Sequence, residues 1–156
     1  MNKLLQYFGY ISPSDESIMA TFPADDFDKS SIKLESTIFE NKQYNMCIDR
    51  LYFWGKYTII SVIFKGLVDG AYYSNYKYDV ALIDKNGMKH NCLFIYLLSY
   101  SGIRKTCDSS NLCWLRLLEK ENKSIMLFFP LLSKELLITG RIHFEGKANI
   151  DFKIPE

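Results

Sequence analysis

Apolar and polar residues alternate with a period of two along much of the chain after residue 31. In residues 57–64, YTIISVIF, β-branched and aromatic residues occupy both faces, which predicts a central strand buried on both sides. Near the C-terminus, Ile142 and Phe144 alternate with polar residues, and so do Ile150 and Phe152. Because side chains of a strand point alternately to the two faces of a sheet, these patterns predict an antiparallel hairpin with its turn at 145–147.

The clearest turn signal is the pair Asn86-Gly87, which readily takes the positive φ angles of a two-residue type I′ turn. It predicts a hairpin of strands 78–84 and 88–95. With Asn86 and Gly87 at the tip, the register places Asp84 opposite Lys89 and residue 80 opposite residue 93. We therefore expect a charge pair near the tip and an apolar pair further down.

Segments 112–118 and 124–129 flank a polar turn and predict a third strand pair, although 112–120 fits a buried helix equally well. Residues 13–31 hold two prolines, four serines and five acidic residues, so we expect a surface loop there, with a short helical turn near 14–20. Many short strands with regularly spaced turns favour a mainly β fold, or α+β with one or two short helices. The expected architecture is an antiparallel β-sandwich or a strongly curved sheet.

Length and composition indicate one globular domain over residues 1–156, because the chain is 48% hydrophobic and contains no linker-like tract. No apolar stretch approaches the ~20 residues of a membrane span. The N-terminal apolar run is broken at Gln6, so we expect no signal peptide, a cytoplasmic location and no membrane partner. The cysteines lack the paired C-x2-C spacing of zinc sites, and we expect reduced thiols at Cys47, Cys92, Cys107 and Cys113.

The chain carries no recognisable catalytic, nucleotide-binding or metal-binding motif. It has two histidines, and both His90 and His143 fall in predicted strands as structural residues. Its basic residues are dispersed and the formal net charge is +1, which argues against a nucleic-acid partner. These observations predict a protein that is not an enzyme and has no cofactor and no metal.

Two segments are poorly explained by a β core, and both predict a partner-binding surface. Residues 1–52 hold five basic and eight acidic residues, a balance of −3, and residues 53–156 hold fourteen and ten, a balance of +4. The acidity is concentrated in the segment that contains Asp25, Asp26 and Asp28, which forms either a solvated loop or a surface for a basic partner.

Segment 69–78 is rich in tyrosine with Gly, Ser and Asn, a composition typical of recognition loops. The alternative is that its tyrosines begin a strand and pack on the core. The candidate partner-binding residues are Asp25, Asp26, Asp28, Tyr72, Tyr73 and Tyr76.

A small β-rich domain with abundant Ile, Lys, Asn and Tyr, an acidic segment and no catalytic motif resembles the immunity proteins that protect bacteria from contact-dependent or polymorphic toxins. The resemblance covers the chain in size and composition and assigns no role to individual positions. It implies stoichiometric binding that occludes the active site of a protein partner, a basic toxin domain. The alternative is a small-molecule-binding β domain, or an enzyme whose site is assembled from scattered residues.

Overall fold

Two antiparallel sheets make up most of the structure, a computed structural model that describes residues 21–40, 45–65, 80–98, 104–107, 123–144 and 148–156. The predicted mainly β, antiparallel fold class is therefore confirmed. In the described residues, the larger sheet, sheet A, contains β1 (Ile32–Lys33), β3 (Ile38–Glu40), β4 (Asn45–Trp54), β5 (Tyr57–Lys65), β8 (Phe94–Leu98), β9 (Arg104–Cys107) and β10 (Lys123–Pro130).

In the described part of the chain, the smaller sheet, sheet B, contains β2 (Glu35–Ser36), β6 (Val80–Ile83), β7 (Lys89–Asn91), β11 (Thr139–Phe144) and β12 (Ala148–Lys153). Its strand order is β2-β12-β11-β6-β7. In sheet A the order is β1-β4-β5-β10-β8-β9, with β3 also paired to β4. A 3-10 helix, Lys134–Leu137, joins β10 to β11 and links the two sheets.

The main core lies between the sheets and draws side chains from both. Ile60 and Leu127 from sheet A and Ile142 and Ile150 from sheet B are all fully buried. Full burial of such a side chain contributes roughly 1.5–3 kcal/mol relative to exposure. The alternating pattern of the sequence thus selects the inner faces of a β-sandwich.

Strand β5 lies between β4 and β10, as the apolar pattern on both of its faces predicts. Ile60 faces the inner core, and its neighbour Ile59 is equally buried in a second cluster on the outer face of sheet A. The predicted C-terminal hairpin is also confirmed, since β11 and β12 pair with Ile142 opposite Ile150. Its turn at 145–147, like segment 112–120, lies outside the described residues.

The second cluster covers the outer face of sheet A with aromatic rings. Phe94 stacks on Phe128 with ring centroids 4.4 Å apart, and Tyr52 lies edge-on to Phe27 at 5.5 Å. Such aromatic pairs add about 0.5–1.5 kcal/mol beyond the area they bury. Phe27 belongs to the helix α1 (Ala24–Ser30), so the cluster fixes this helix on the sheet.

Helix α1 corrects the expectation that residues 13–31 form a loop. Ala24 and Phe27, one turn apart, both pack against the aromatic cluster, while Asp25 and Asp26 in the first turn suit the positive end of the helix dipole. A seven-residue helix is marginal in water, so tertiary packing supplies its stability. The helical turn predicted near 14–20 lies outside the described residues.

The Asn86-Gly87 hairpin exists, but its predicted register is wrong by one residue. Ile83 pairs with Lys89, and the loop has three residues, with Gly87 at φ +83°. The Gly87 N–H donates to the Asp84 carbonyl oxygen at 2.9 Å, and the Asp84 N–H donates to the Met88 carbonyl oxygen at 3.0 Å. Because the loop is one residue longer than a type I′ turn, Asp84 is not opposite Lys89 and the predicted charge pair does not form.

The predicted strand 88–95 is divided between the two sheets. The Cys92 N–H donates to the Val80 carbonyl oxygen of sheet B, whereas the next N–H, of Leu93, donates to the Phe128 carbonyl oxygen of sheet A. The chain thus crosses from β7 to β8 at this point, a corner typical of sandwiches. The predicted pairing of Val80 with Leu93 is therefore also wrong.

Candidate functional site

The three acidic candidates Asp25, Asp26 and Asp28 all lie on α1 and are exposed. Asp25 and Asp28 are three residues apart and hence neighbours on the helix surface. The structure gives Asp26 a different role from these two, because its carboxylate is engaged within the fold. The candidates Tyr72, Tyr73 and Tyr76 lie outside the described residues, so their position relative to α1 stays a prediction.

Asp26 ties α1 to sheet A. Its carboxylate accepts hydrogen bonds from the Tyr52 hydroxyl and, at 2.9 Å, from the Ser30 hydroxyl. The bond from Tyr52 is the main reason that the pKa of Asp26 lies below its ordinary value. Burial and the neighbouring Asp26 charge raise the pKa of Tyr52 to about 12. Asp26 thus positions α1 on sheet A. Asp25 and Asp28 remain as the acidic side chains of this helix that a partner can reach.

An aromatic and apolar surface adjoins α1 at the end of sheet A where β4 turns into β5. Trp54, Tyr57 and Pro130 lie side by side on three neighbouring strands, since Tyr57 pairs with both of the others. Trp54 is half-buried, with its ring edge-on to Phe22 at 5.2 Å, and Pro130 is exposed. Leu131, 53% exposed, is held beside them by its N–H bond to the Lys56 carbonyl oxygen.

The pattern of apolar and polar positions does not predict this surface. Trp54 ends a strand whose apolar residues are typical of a core strand. Pro130 and Leu131 lie at the end of another apolar strand, about 76 positions further along the chain. A hint is available in the sequence, because Gly55-Lys56 between two apolar runs marks a tight turn that exposes its neighbours. Gly55 has φ +56°, as such a turn requires.

The second feature of interest is the buried carboxylate of Asp84 at the β6–β7 loop. Its side chain is 2% exposed, and its Oδ1 accepts hydrogen bonds from the backbone N–H groups of Asn86 at 2.8 Å and Met88 at 3.1 Å. Its Oδ2 lies 2.9 Å from Nε2 of His90. The His90 bond, followed by the two backbone bonds, holds the pKa of Asp84 below its ordinary value despite burial.

These contacts make His90 and Asp84 a structural pair. Both oxygens of the carboxylate make hydrogen bonds within the loop and to β7. The structural role predicted for His90 agrees with this arrangement. The other histidine, His143, projects from the face of β11 opposite to Ile142 and lies 2.5 Å from the Asn149 side-chain oxygen, also as its strand alternation predicts.

A groove of about 650 Å³ opens at the end of sheet B beside this loop. It lies where β6 parts from β11, beyond the last pair of Ile83 with Arg141. Two ion pairs flank it, Arg141 with Asp151 at 2.7 Å and Lys153 with Glu35 at 3.3 Å. The groove is lined by Glu35, Ser36, Thr37, Ile83, Asp84, Lys85, Gly87, Thr139, Gly140, Arg141, Asp151, Phe152 and Lys153.

Within the described ranges, no group of three or more His, Cys, Asp or Glu side chains could hold a metal ion. Neither helix in the part of the chain that the structure describes combines the length and hydropathy needed to cross a bilayer. Cys47 and Cys92 are thiols, one half-buried and the other buried.

Comparisons with protein-family models, with curated proteins and with solved structures give no match in any of the three. The features that bear on function are therefore the geometry of α1, of the adjoining end of sheet A and of the groove.

Proposed function

We propose that this chain is a non-catalytic, cytoplasmic protein-binding domain of the immunity type, which neutralises a basic toxin domain by stoichiometric binding over its active site. The observation that carries the proposal is the fixed position of α1. Its aromatic side is packed on sheet A, its Asp26 is bonded to Tyr52, and its Asp25 and Asp28 point into solvent.

A fixed acidic surface suits rapid and specific binding. Ordering a loop at an interface costs free energy, and a helix already anchored by rings and a hydrogen bond avoids that cost. Exposed carboxylates attract a basic partner during diffusional encounter, which raises the association rate at low salt. This agrees with the balance of −3 over residues 1–52.

The adjoining apolar surface supplies the second part of the proposed interface. Trp54, Pro130 and Leu131 offer contact area beside α1, and tryptophan is the residue type most enriched in binding hot spots. Tyr72, Tyr73 and Tyr76 remain in the proposal on the strength of their sequence composition. In this arrangement apolar groups set the dissociation rate, and the carboxylates of α1 set the association rate.

The engaged state of two carboxylates supports a non-catalytic role. The buried Asp84 is bonded to two backbone N–H groups and His90, and the exposed Asp26 accepts hydrogen bonds from Tyr52 and Ser30. A general acid or base has to exchange its proton with a substrate, and these carboxylates are committed to the fold.

The test is a kinetic binding assay against the product of the neighbouring gene, since immunity and toxin genes adjoin each other. We expect a one-to-one complex. Replacing both Asp25→Asn and Asp28→Asn is expected to slow association roughly tenfold at low salt and to have little effect at high salt. Leu131→Ala is expected chiefly to speed dissociation.

The matched control neutralises two other exposed acids, Glu135→Gln and Glu156→Gln, of which the first lies on the 3-10 helix beside sheet B. This double variant is expected to bind like the native chain. Equal slowing by both double variants places the interface elsewhere than on α1. Turnover of a substrate by the purified protein alone contradicts the proposal.

A further inference from the structure

The groove at the end of sheet B is built from four separate parts of the chain. The loop after β6 is tied to the 3-10 helix, because the Lys85 N–H donates to the Leu136 carbonyl oxygen at 3.0 Å. Beside this loop lies a space of about 650 Å³, within the usual range of ligand pockets. The groove lies on the sheet opposite to the one that carries α1.

Only part of the charge in the groove is available to a ligand. The Asp84 carboxylate lines the groove but is 2% exposed, and its oxygens accept hydrogen bonds from the loop and face His90. Asp151 and Glu35 are each matched by a cation, Arg141 and Lys153.

Lys85 remains as a cation whose ammonium makes no ion pair with any described residue. It is exposed and lines the groove. The charged side chains of the lining are therefore three cations, Lys85, Arg141 and Lys153, and three carboxylates, and Lys85 is the cation that has no carboxylate partner among the described residues. A charge-assisted contact with the Lys85 ammonium favours a ligand with one negative charge.

The remaining walls suit a ligand with an apolar portion. Ile83 and Phe152 line the groove, and Gly140 lets the Phe152 ring lie directly against β11, since a Cβ at this position would come within 2.5 Å of that ring. Any larger residue at 140 has to displace Phe152 from the groove wall.

We propose that this groove binds a small organic carboxylate, with Lys85 as its charge partner, flanked by the Arg141 and Lys153 ion pairs. An amino-acid derivative and a sugar acid share this chemistry and fit the volume. The site is independent of the proposed interface on α1, because it lies on sheet B and needs no protein partner.

The experiment is a titration of the isotope-labelled full chain, followed by amide NMR, with N-acetylleucine and with glucuronate, each of which carries one carboxylate. The uncharged matches are N-acetylleucinamide and glucose. We expect one or both acids to shift the amide resonances of Lys85, Thr139 and Arg141. The acid that binds more tightly shows whether the ligand is an amino-acid derivative or a sugar acid. We expect the uncharged matches to bind at least fivefold more weakly, because they lack one charge-assisted contact, and such a contact at an exposed site has about this effect.

Lys85→Gln is expected to weaken binding of the acid by roughly fivefold. Lys56→Gln, which removes an exposed lysine at the far sheet, is the control and should leave the affinity unchanged. Absent shifts at the groove amides, equal binding of charged and uncharged probes, or an unaffected Lys85→Gln variant would each overturn the proposal. None of these outcomes changes the expected binding of a protein partner to α1, so the two proposals fail separately.

Discussion

At the scale of single residues, the buried carboxylate of Asp84 organises the β6–β7 loop. Two backbone N–H groups and His90 hold it at the loop between β6 and β7, where it is almost closed to solvent. Removing it leaves those N–H groups without their acceptor. We expect Asp84→Ala to lower the free energy of unfolding by about 2 kcal/mol at neutral pH, measured by urea denaturation.

The same residue predicts a pH dependence. Because the pKa of Asp84 is lower in the folded state, its contribution is fully present above the ordinary carboxyl pKa and is lost as pH falls through the folded value. The free energy of unfolding of Asp84→Ala should therefore fall less steeply in acid than that of the native chain. Asp151 forms an exposed ion pair with Arg141, so Asp151→Asn is the control. It is expected to change the free energy of unfolding by less than about 1 kcal/mol. A parallel acid dependence in Asp84→Ala and the native chain would contradict the assignment.

Tyr52 allows a direct spectroscopic prediction. Its pKa is raised to about 12, first by burial and then by Asp26, so its phenol stays protonated in the folded protein at pH 11. The stabilisation linked to this shift is present below the ordinary tyrosine pKa and is lost as pH rises through about 12. In an ultraviolet titration of the folded chain, we expect a late tyrosinate step near that pH, absent from Tyr52→Phe. An unchanged late step in Tyr52→Phe would assign it to another tyrosine.

At the scale of elements, the predictions that succeed depend on local pattern and those that fail depend on distant contacts. Strand β5 follows from its run of β-branched and aromatic residues on both faces, and the β11–β12 hairpin follows from the alternation of apolar and polar positions. The β6–β7 loop differs by one residue, since its length is decided by the buried Asp84 that caps it. Neither α1 nor the groove could be predicted, because tertiary packing forms the first and four distant segments form the second.

The β6–β7 loop depends on Gly87. Its φ of +83° is unfavourable for residues with a Cβ, and most of all for β-branched ones, although no atom blocks a side chain there. Gly87→Val is therefore expected to destabilise the protein by about 1–3 kcal/mol through backbone strain alone. Met88→Val places a β-branched residue at the next position, which is exposed, and serves as the control. It should change the melting temperature far less than Gly87→Val does. Unchanged melting of Gly87→Val would contradict the loop geometry.

At the scale of the whole molecule, the two clusters divide the structure into a sandwich and a docked helix. Ile142 is fully buried between the sheets, whereas Phe27 packs on the outer face of sheet A. A sandwich core is shared by many strands, so its loss is felt throughout the fold. The outer cluster instead holds α1 on a surface that the sandwich does not need for its own pairing.

This division predicts different responses to two truncations. Ile142→Ala is expected to lower the free energy of global unfolding by about 2–5 kcal/mol and to speed hydrogen exchange in both sheets. Phe27→Ala is expected to release α1 by local opening, which speeds exchange of the Ser31 N–H that now donates to the Phe27 carbonyl oxygen and leaves β5 and β11 protected. Hydrogen exchange measured residue by residue separates the two cases. Equal loss of protection in β5 for both variants would mean that α1 belongs to the cooperative core, and its fixed acidic face would then be a consequence of folding rather than a separately docked binding element.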